Sequence, residues 1–165
     1  MRKEEETGMS AETTILSVEG RVAAAEAAPD VQMEKFLMFA SDGLLFGVKV
    51  AYVVEILTNH TVTHLPMVPE YVGGIINLRG QIIPIIDFRL RMGKMPREDC
   101  CIMVLSMAGS QMGVTVDAVA QLVDIPAQNI LPVPVHNAQK LISGMCALQD
   151  GRTMLILDCA LLLEN

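Results

Sequence analysis

The sequence predicts a mainly β fold: two small five-stranded barrels packed side by side, with short helical turns between strands. Three observations carry this reading. The apolar runs are short and end at glycine-bearing turns. Their pattern returns 66 residues later. Each copy holds five such runs, enough to curl into a small barrel that hides its edges.

Residues 1–30 stand apart. They are rich in Glu, Ala and Thr and poor in large apolar groups, and they predict a flexible tail ending near Pro29-Asp30. Phe36 to Phe39, then Ser41-Asp42-Gly43, then Leu44 to Val48 read as strand, tight turn, strand. A third β segment follows over about 50–65. Pro69 to Gly73 reads as one helical turn, with proline at its start and glycine past its end. Ile75 to Leu78, Arg79-Gly80 and Gln81 to Asp87 form a second hairpin.

The second copy repeats this plan. Gly43, Gly47, Val48, Val50 and Val53 match Gly109, Gly113, Val114, Val116 and Val119, and Leu65-Pro66 matches Leu131-Pro132. Glycine and proline mark backbone conformation, so their recurrence in order implies that the fold recurs. A third segment spans about 116–131, and Met145 to Leu148, Gln149 to Gly151 and Arg152 to Asp158 give the closing hairpin. A barrel of ~65 residues has a thin core, so the two are expected to pack together. The expected division is a tail over 1–30 and a folded region over 31–165. Within it lie one subdomain at about 34–98, a second at about 99–160, and a short C-terminal helical segment.

Composition narrows the function classes. Apolar residues make up 52 % of the chain, yet no run approaches the ~18–20 uninterrupted apolar residues of a membrane span. Met1 to Glu6 mixes basic and acidic residues with no apolar region behind it, unlike a secretory signal. Four cysteines in such a chain point to reduced thiols in a cytoplasm. Net charge is −7 with no basic stripe, which argues against nucleic acid and anionic lipid as partners. With no tryptophan, stacking platforms for bases or sugars are scarce.

Candidate chemistry is weak at each site. His60 and His64 are four apart, but Thr61-Val-Thr63 between them favours strand or loop, which would hold them over 13 Å apart at ~3.3 Å per residue. No metal site is expected. Cys100-Cys101 are adjacent rather than spaced as a redox or zinc pair. Cys146 and Cys159 sit among apolar residues and read as core. Asp87 and Asp158 end matching strands and read as helix caps rather than an acid–base pair. There is no Gly-rich phosphate loop and no nucleophile–base pair, so neither an enzyme nor a cofactor is expected.

One stretch is specific. Gly74-Ile-Ile-Asn-Leu-Arg-Gly-Gln-Ile-Ile-Pro-Ile-Ile-Asp87 resembles the signature of the bacterial chemotaxis coupling proteins of the CheW family. Val53-Val-Glu-Ile56, Gly113-Val-Thr-Val-Asp117 and Ile142 to Leu148 also look like that family, so the resemblance covers about 34–163. It implies two SH3-like barrels and a non-enzymatic adaptor. The implied partners are the regulatory domain of the histidine kinase CheA and the cytoplasmic tips of methyl-accepting chemoreceptors. The adaptor would be cytoplasmic and recruited to membrane-associated receptor arrays. A related pathway, such as pilus motility, is the alternative. The 30 leading residues leave no room for an ATP site and no receiver domain follows Asn165. The expectation is therefore the adaptor, not the kinase domain or the CheV type.

The resemblance also implies a receptor-binding groove between the barrels, formed by Val53, Glu55, Ile56, Arg79, Ile102, Met103 and Val119. In that family the arginine matching Arg79 is functional and can pair with the glutamate matching Glu55. Gly74, Asn77 and Gly80 are expected to support the turn that carries Arg79. Only the first copy has the Asn77-Leu-Arg-Gly80 tip; the second has Asp-Gly at the matching turn.

Overall fold

A computed structural model describes residues 31–133 and 141–162. The expected tail over 1–30 lies outside the described residues. The described residues of 34–125 and 129–162 form one compact unit. Of the other unit, the described part is 31–33 with 126–128, where Ala127 N–H donates to the Gln32 carbonyl at 2.7 Å.

Ten strands occur among the described residues: β1 (Met33–Ser41), β2 (Leu44–Lys49), β3 (Val53–Leu57), β4 (Val72–Leu78), β5 (Gln81–Asp87), β6 (Cys101–Met107), β7 (Ser110–Val116), β8 (Ala118–Pro126), β9 (Ile142–Ala147) and β10 (Thr153–Leu157). They form two five-stranded sheets. Among the described residues, helix is confined to single turns: Val50–Tyr52, α1 (Phe88–Arg91), Ala127–Asn129 and Cys159–Leu161. Asp87 caps α1 by accepting from Leu90 N–H at 3.1 Å, and Asp158 caps the last turn by accepting from Ala160 N–H at 3.1 Å. Both aspartates are the caps expected of repeat-related strand ends. The expected turn at Pro69 is a single hydrogen bond, Val72 N–H to the Pro69 carbonyl at 2.9 Å, and β4 already begins at Val72.

The strand order corrects the expected boundaries at about 34–98 and 99–160. One sheet runs β9-β10-β2-β1-β8 and the other β3-β6-β7-β5-β4. Each copy's first hairpin therefore joins the other copy's remaining three strands. The exchange is reciprocal, and the same parallel junction seals both sheets. β10 pairs with β2 (Met154 opposite Leu45), and β5 pairs with β7 (Ile85 opposite Gly113). Each sheet then closes on itself through equivalent bridges. Thr63 and Ile75 exchange backbone bonds at 2.9 Å, and Leu131 and Met145 at 2.8 and 2.9 Å.

Burial explains why this topology suits the sequence. Phe36 to Phe39 on β1 and Ile102 to Leu105 on β6 are buried throughout. Side chains on a strand alternate between faces, so such a run needs apolar cover on both sides. Phe36 and Met38 point into the first barrel with Cys146, Met154 and Ile156. Ile102 and Val104 point into the second with Leu57, Ile76, Leu78, Ile83 and Ile85. The alternate residues Leu37, Phe39, Met103 and Leu105 meet in a third core at the seam. Phe39 and Phe46 stack there and Phe88 meets both edge-on, with ring centroids 4.9–5.4 Å apart. Burying one such ring contributes roughly 2–3 kcal/mol.

Candidate protein-interaction site

The sharpest feature begins with a two-residue turn. Leu78 pairs with Gln81 across it, and Arg79 and Gly80 both take positive φ, 51° and 82°. This is the turn whose twist matches a β-hairpin, and it normally wants Asn-Gly or Asp-Gly. Arg79 holds the first position with help from Asn77, whose Oδ1 accepts from Gly80 N–H at 3.0 Å. Upstream, Gly74 sits at a bulge in β4 with φ 140°. A Cβ there would collide with the Thr63 carbonyl. The backbone bridge that closes the second barrel therefore requires glycine.

The turn aims Arg79 at β3. Its Nη1 and Nη2 donate to Oε1 and Oε2 of Glu55 at 2.5 and 3.0 Å, a bidentate pair across 24 residues of chain. Hydrogen bonding from Arg79 holds the Glu55 carboxyl below its ordinary range, and Glu55 in turn raises the guanidinium. The Arg79 side chain is still 71 % exposed, so the pair presents an oriented guanidinium to the surroundings.

Apolar residues flank it. Ile56 lies opposite Met103, and Val53 opposite Leu105, so each shares a face with its partner. Val53 and Val119, from opposite copies, both pack half-buried against the seam core. Ile56 is 41 % exposed. Val53 and Val119 thus meet the seam core, while Ile56 lies exposed on β3 opposite Met103. The structure corrects two expected groove residues. Met103 is fully buried in the seam core, and Ile102 points into the second barrel at 5 % exposure. Both sit on a strand covered on its two faces, so neither can line a surface groove. Val54 and Ile82, exposed on the sheet that carries the Glu55–Arg79 pair, went unnoticed in the sequence because β-strands shed no apolar signal specific to exposure.

A second charged cluster had no sequence signal. Arg89 on α1 donates through Nε and Nη2 to both oxygens of Asp117, at 2.8 and 2.7 Å. Asp117 also accepts from Asp42 N–H at 3.0 Å, and Arg89 Nη1 reaches Asp42 Oδ1 at 3.3 Å. Arg89 lowers the Asp117 carboxyl to about 2. The cluster fastens the tip of the β1–β2 hairpin to the end of β7. Nearby, Arg91 donates to the carbonyls of Leu162 and Leu161 at 3.0 and 3.1 Å and lies over the Tyr71 ring.

A polar cleft of about 470 Å³ is lined by His60, Arg97, Glu98, Cys101 and Asp117. His60 and His64 lie in the irregular segment after β3. Among the described residues, no three of His, Cys, Asp and Glu gather as metal ligands. Burial raises all four thiols, Cys159 to about 12, which keeps them protonated. No helix of the described residues is long and apolar enough to cross a membrane.

The chain is similar to known proteins. Residues 35–165 match the family described as the CheW-like domain. The chain is 30 % identical to chemotaxis protein CheW of Klebsiella aerogenes over 138 residues, covering 80 % of this chain and 82 % of that one. It is 28 % identical to protein FrzA of Myxococcus xanthus over 156 residues, covering 88 % and 92 %. The crystal structure of scaffolding protein TtCheW from Thermoanaerobacter tengcongensis superposes with a TM-score of 0.76. Its identity is 30 %, over 81 % of this chain and 94 % of that one.

Proposed function

The chain belongs to the CheW-like domain family, and from that premise we propose that it couples chemoreceptor cytoplasmic tips to the histidine kinase CheA. A CheW-type scaffold works by presenting surfaces rather than by turnover. The observation that carries the reading here is the Glu55–Arg79 pair beside the seam. A receptor tip is a helical hairpin. Such a partner lays an apolar stripe into a groove and fixes its register with a few charges. Val53, Ile56 and Val119 supply the apolar contacts. Arg79, held in one orientation by Glu55, supplies the guanidinium. Kinase binding is assigned to the first repeat's surface away from these residues.

The test is kinase activation in a reconstituted array of receptor, CheA and this chain. Arg79→His is expected to fold as the wild type does and to lose most receptor-dependent activation. Full activation by that variant would overturn the assignment. The similarity to FrzA favours a second reading, a chemosensory pathway other than flagellar chemotaxis. Pull-down of the native receptor and kinase distinguishes the two.

A further inference from the structure

We infer that the hairpin Met33–Lys49 can exchange between two copies of this chain, with Val50–Tyr52 as the hinge. The starting point is that the hairpin already lives in a borrowed barrel. It sits between β10 and β8, strands of the other repeat, and leaves that barrel through the 50–52 link. On its C-terminal side it joins the rest of the compact unit through Val50–Tyr52; on its N-terminal side Gln32 accepts from Ala127 N–H at 2.7 Å, a bond that exchange would remake on the second copy.

The hinge is where local preference and tertiary structure disagree. Val48-Lys-Val-Ala-Tyr-Val-Val-Glu-Ile56 is rich in β-branched and aromatic residues, which favour an extended chain. The structure nevertheless imposes one tight helical turn on Val50–Tyr52, between extended residues Lys49 (ψ 129°) and Val53 (ψ 124°). None of the three hinge residues is buried. Straightening the turn would fuse β2 and β3 into one strand over 44–57 and carry the hairpin away from its own barrel. A short turn held against its local preference is the usual hinge of an exchanged dimer.

Docking onto a second copy would rebuild every contact that was lost. β2 would meet the other copy's β10 in the same register, Leu45 opposite Met154. Asp42 would meet the other copy's Arg89 and Asp117. Glu55 and Arg79 both follow the hinge, so each half of the dimer would keep its own pair. The dimer would thus carry two complete interaction sites joined by the straightened hinge.

Two experiments on the 165-residue chain decide this. Deleting Val50–Tyr52 should give a folded species of twice the monomer mass by light scattering, with the β circular dichroism spectrum retained. A folded monomer would overturn the inference. The second experiment needs no hinge change. A Leu45→Cys copy and a Met154→Cys copy are unfolded, mixed and refolded together at high concentration. Neither copy carries both new thiols, so a disulfide between positions 45 and 154, located by peptide mass spectrometry, can form only between copies. Its yield should rise with protein concentration. Refolded, folded protein without that disulfide at any concentration would overturn the inference.

Discussion

Arg79, at the tip of the β4–β5 hairpin, grips both carboxylate oxygens of Glu55 on β3. The pair is exposed, so its Coulomb energy is screened and it adds little to stability. Its value is to hold the guanidinium in one direction. Arg79→Ala should leave the urea midpoint nearly unchanged and weaken binding to a receptor fragment by tenfold or more. Unchanged binding in a size-exclusion or calorimetric assay would separate the pair from recognition.

Gly74 and Gly80 bracket the same hairpin but should respond differently. A Cβ at Gly80 meets nothing within 4 Å and suffers only from φ 82°. Gly80→Ala should cost about 1 kcal/mol. At Gly74 a Cβ strikes the Thr63 carbonyl in addition to an unfavourable φ. Gly74→Ala should cost about 3 kcal/mol or more and open the barrel at Thr63–Ile75. Denaturant unfolding of the two variants, with hydrogen exchange at Ile75, checks the difference.

Ile56 and Met103 face each other across β3 and β6. One is exposed and the other fully buried. Met103→Ala should lose about 2–5 kcal/mol by opening a cavity in the seam. Ile56→Ala should change stability by only about 0.5 kcal/mol and act on receptor binding instead. Equal stability losses would mean that Ile56 belongs to the core after all.

The Asp117 carboxyl titrates at about 2 because Arg89 bonds it on both oxygens. In the unfolded chain a free aspartate titrates near pH ~4. The folded value is the lower one, so its stabilisation is complete above pH ~4 and is lost as the pH falls toward 2. Asp117→Asn should lower the midpoint at neutral pH and flatten the acid limb of the stability curve. Thermal melts from pH 2 to 7 measure both. A parallel pair of curves would exclude Asp117 as the source.

Local chemistry was legible in the sequence. The Asp-Gly and Arg-Gly turns and the Asp87 and Asp158 caps depend on residues within a few positions of one another, and the repeat shows as the same local signals returning 66 residues later. The resemblance to the CheW family likewise pointed to the Glu55–Arg79 pairing that the structure displays. Burial on both faces leaves no mark in the sequence at Ile102 and Met103, because an apolar run names a strand without saying how many faces are covered.

Topology had to come from the tertiary structure. The first hairpins of the two repeats carry the same apolar pattern, so either could complete either barrel, and the linear order suggested contiguous halves. Three-dimensional packing chose the reciprocal exchange. β1 and β6 each need a barrel interior on one face and a partner across the seam on the other, and the crossed arrangement provides both. The Arg89–Asp117–Asp42 cluster was invisible for the same reason. Its members lie 28 and 47 residues from Arg89, and only the exchange brings the hairpin tip to α1. Sequence by itself thus determined the strands, their turns and their duplication, because these rest on short-range backbone and side-chain preferences. Which copy completes which barrel, and hence which residues reach the surface at the seam, depended on long-range burial.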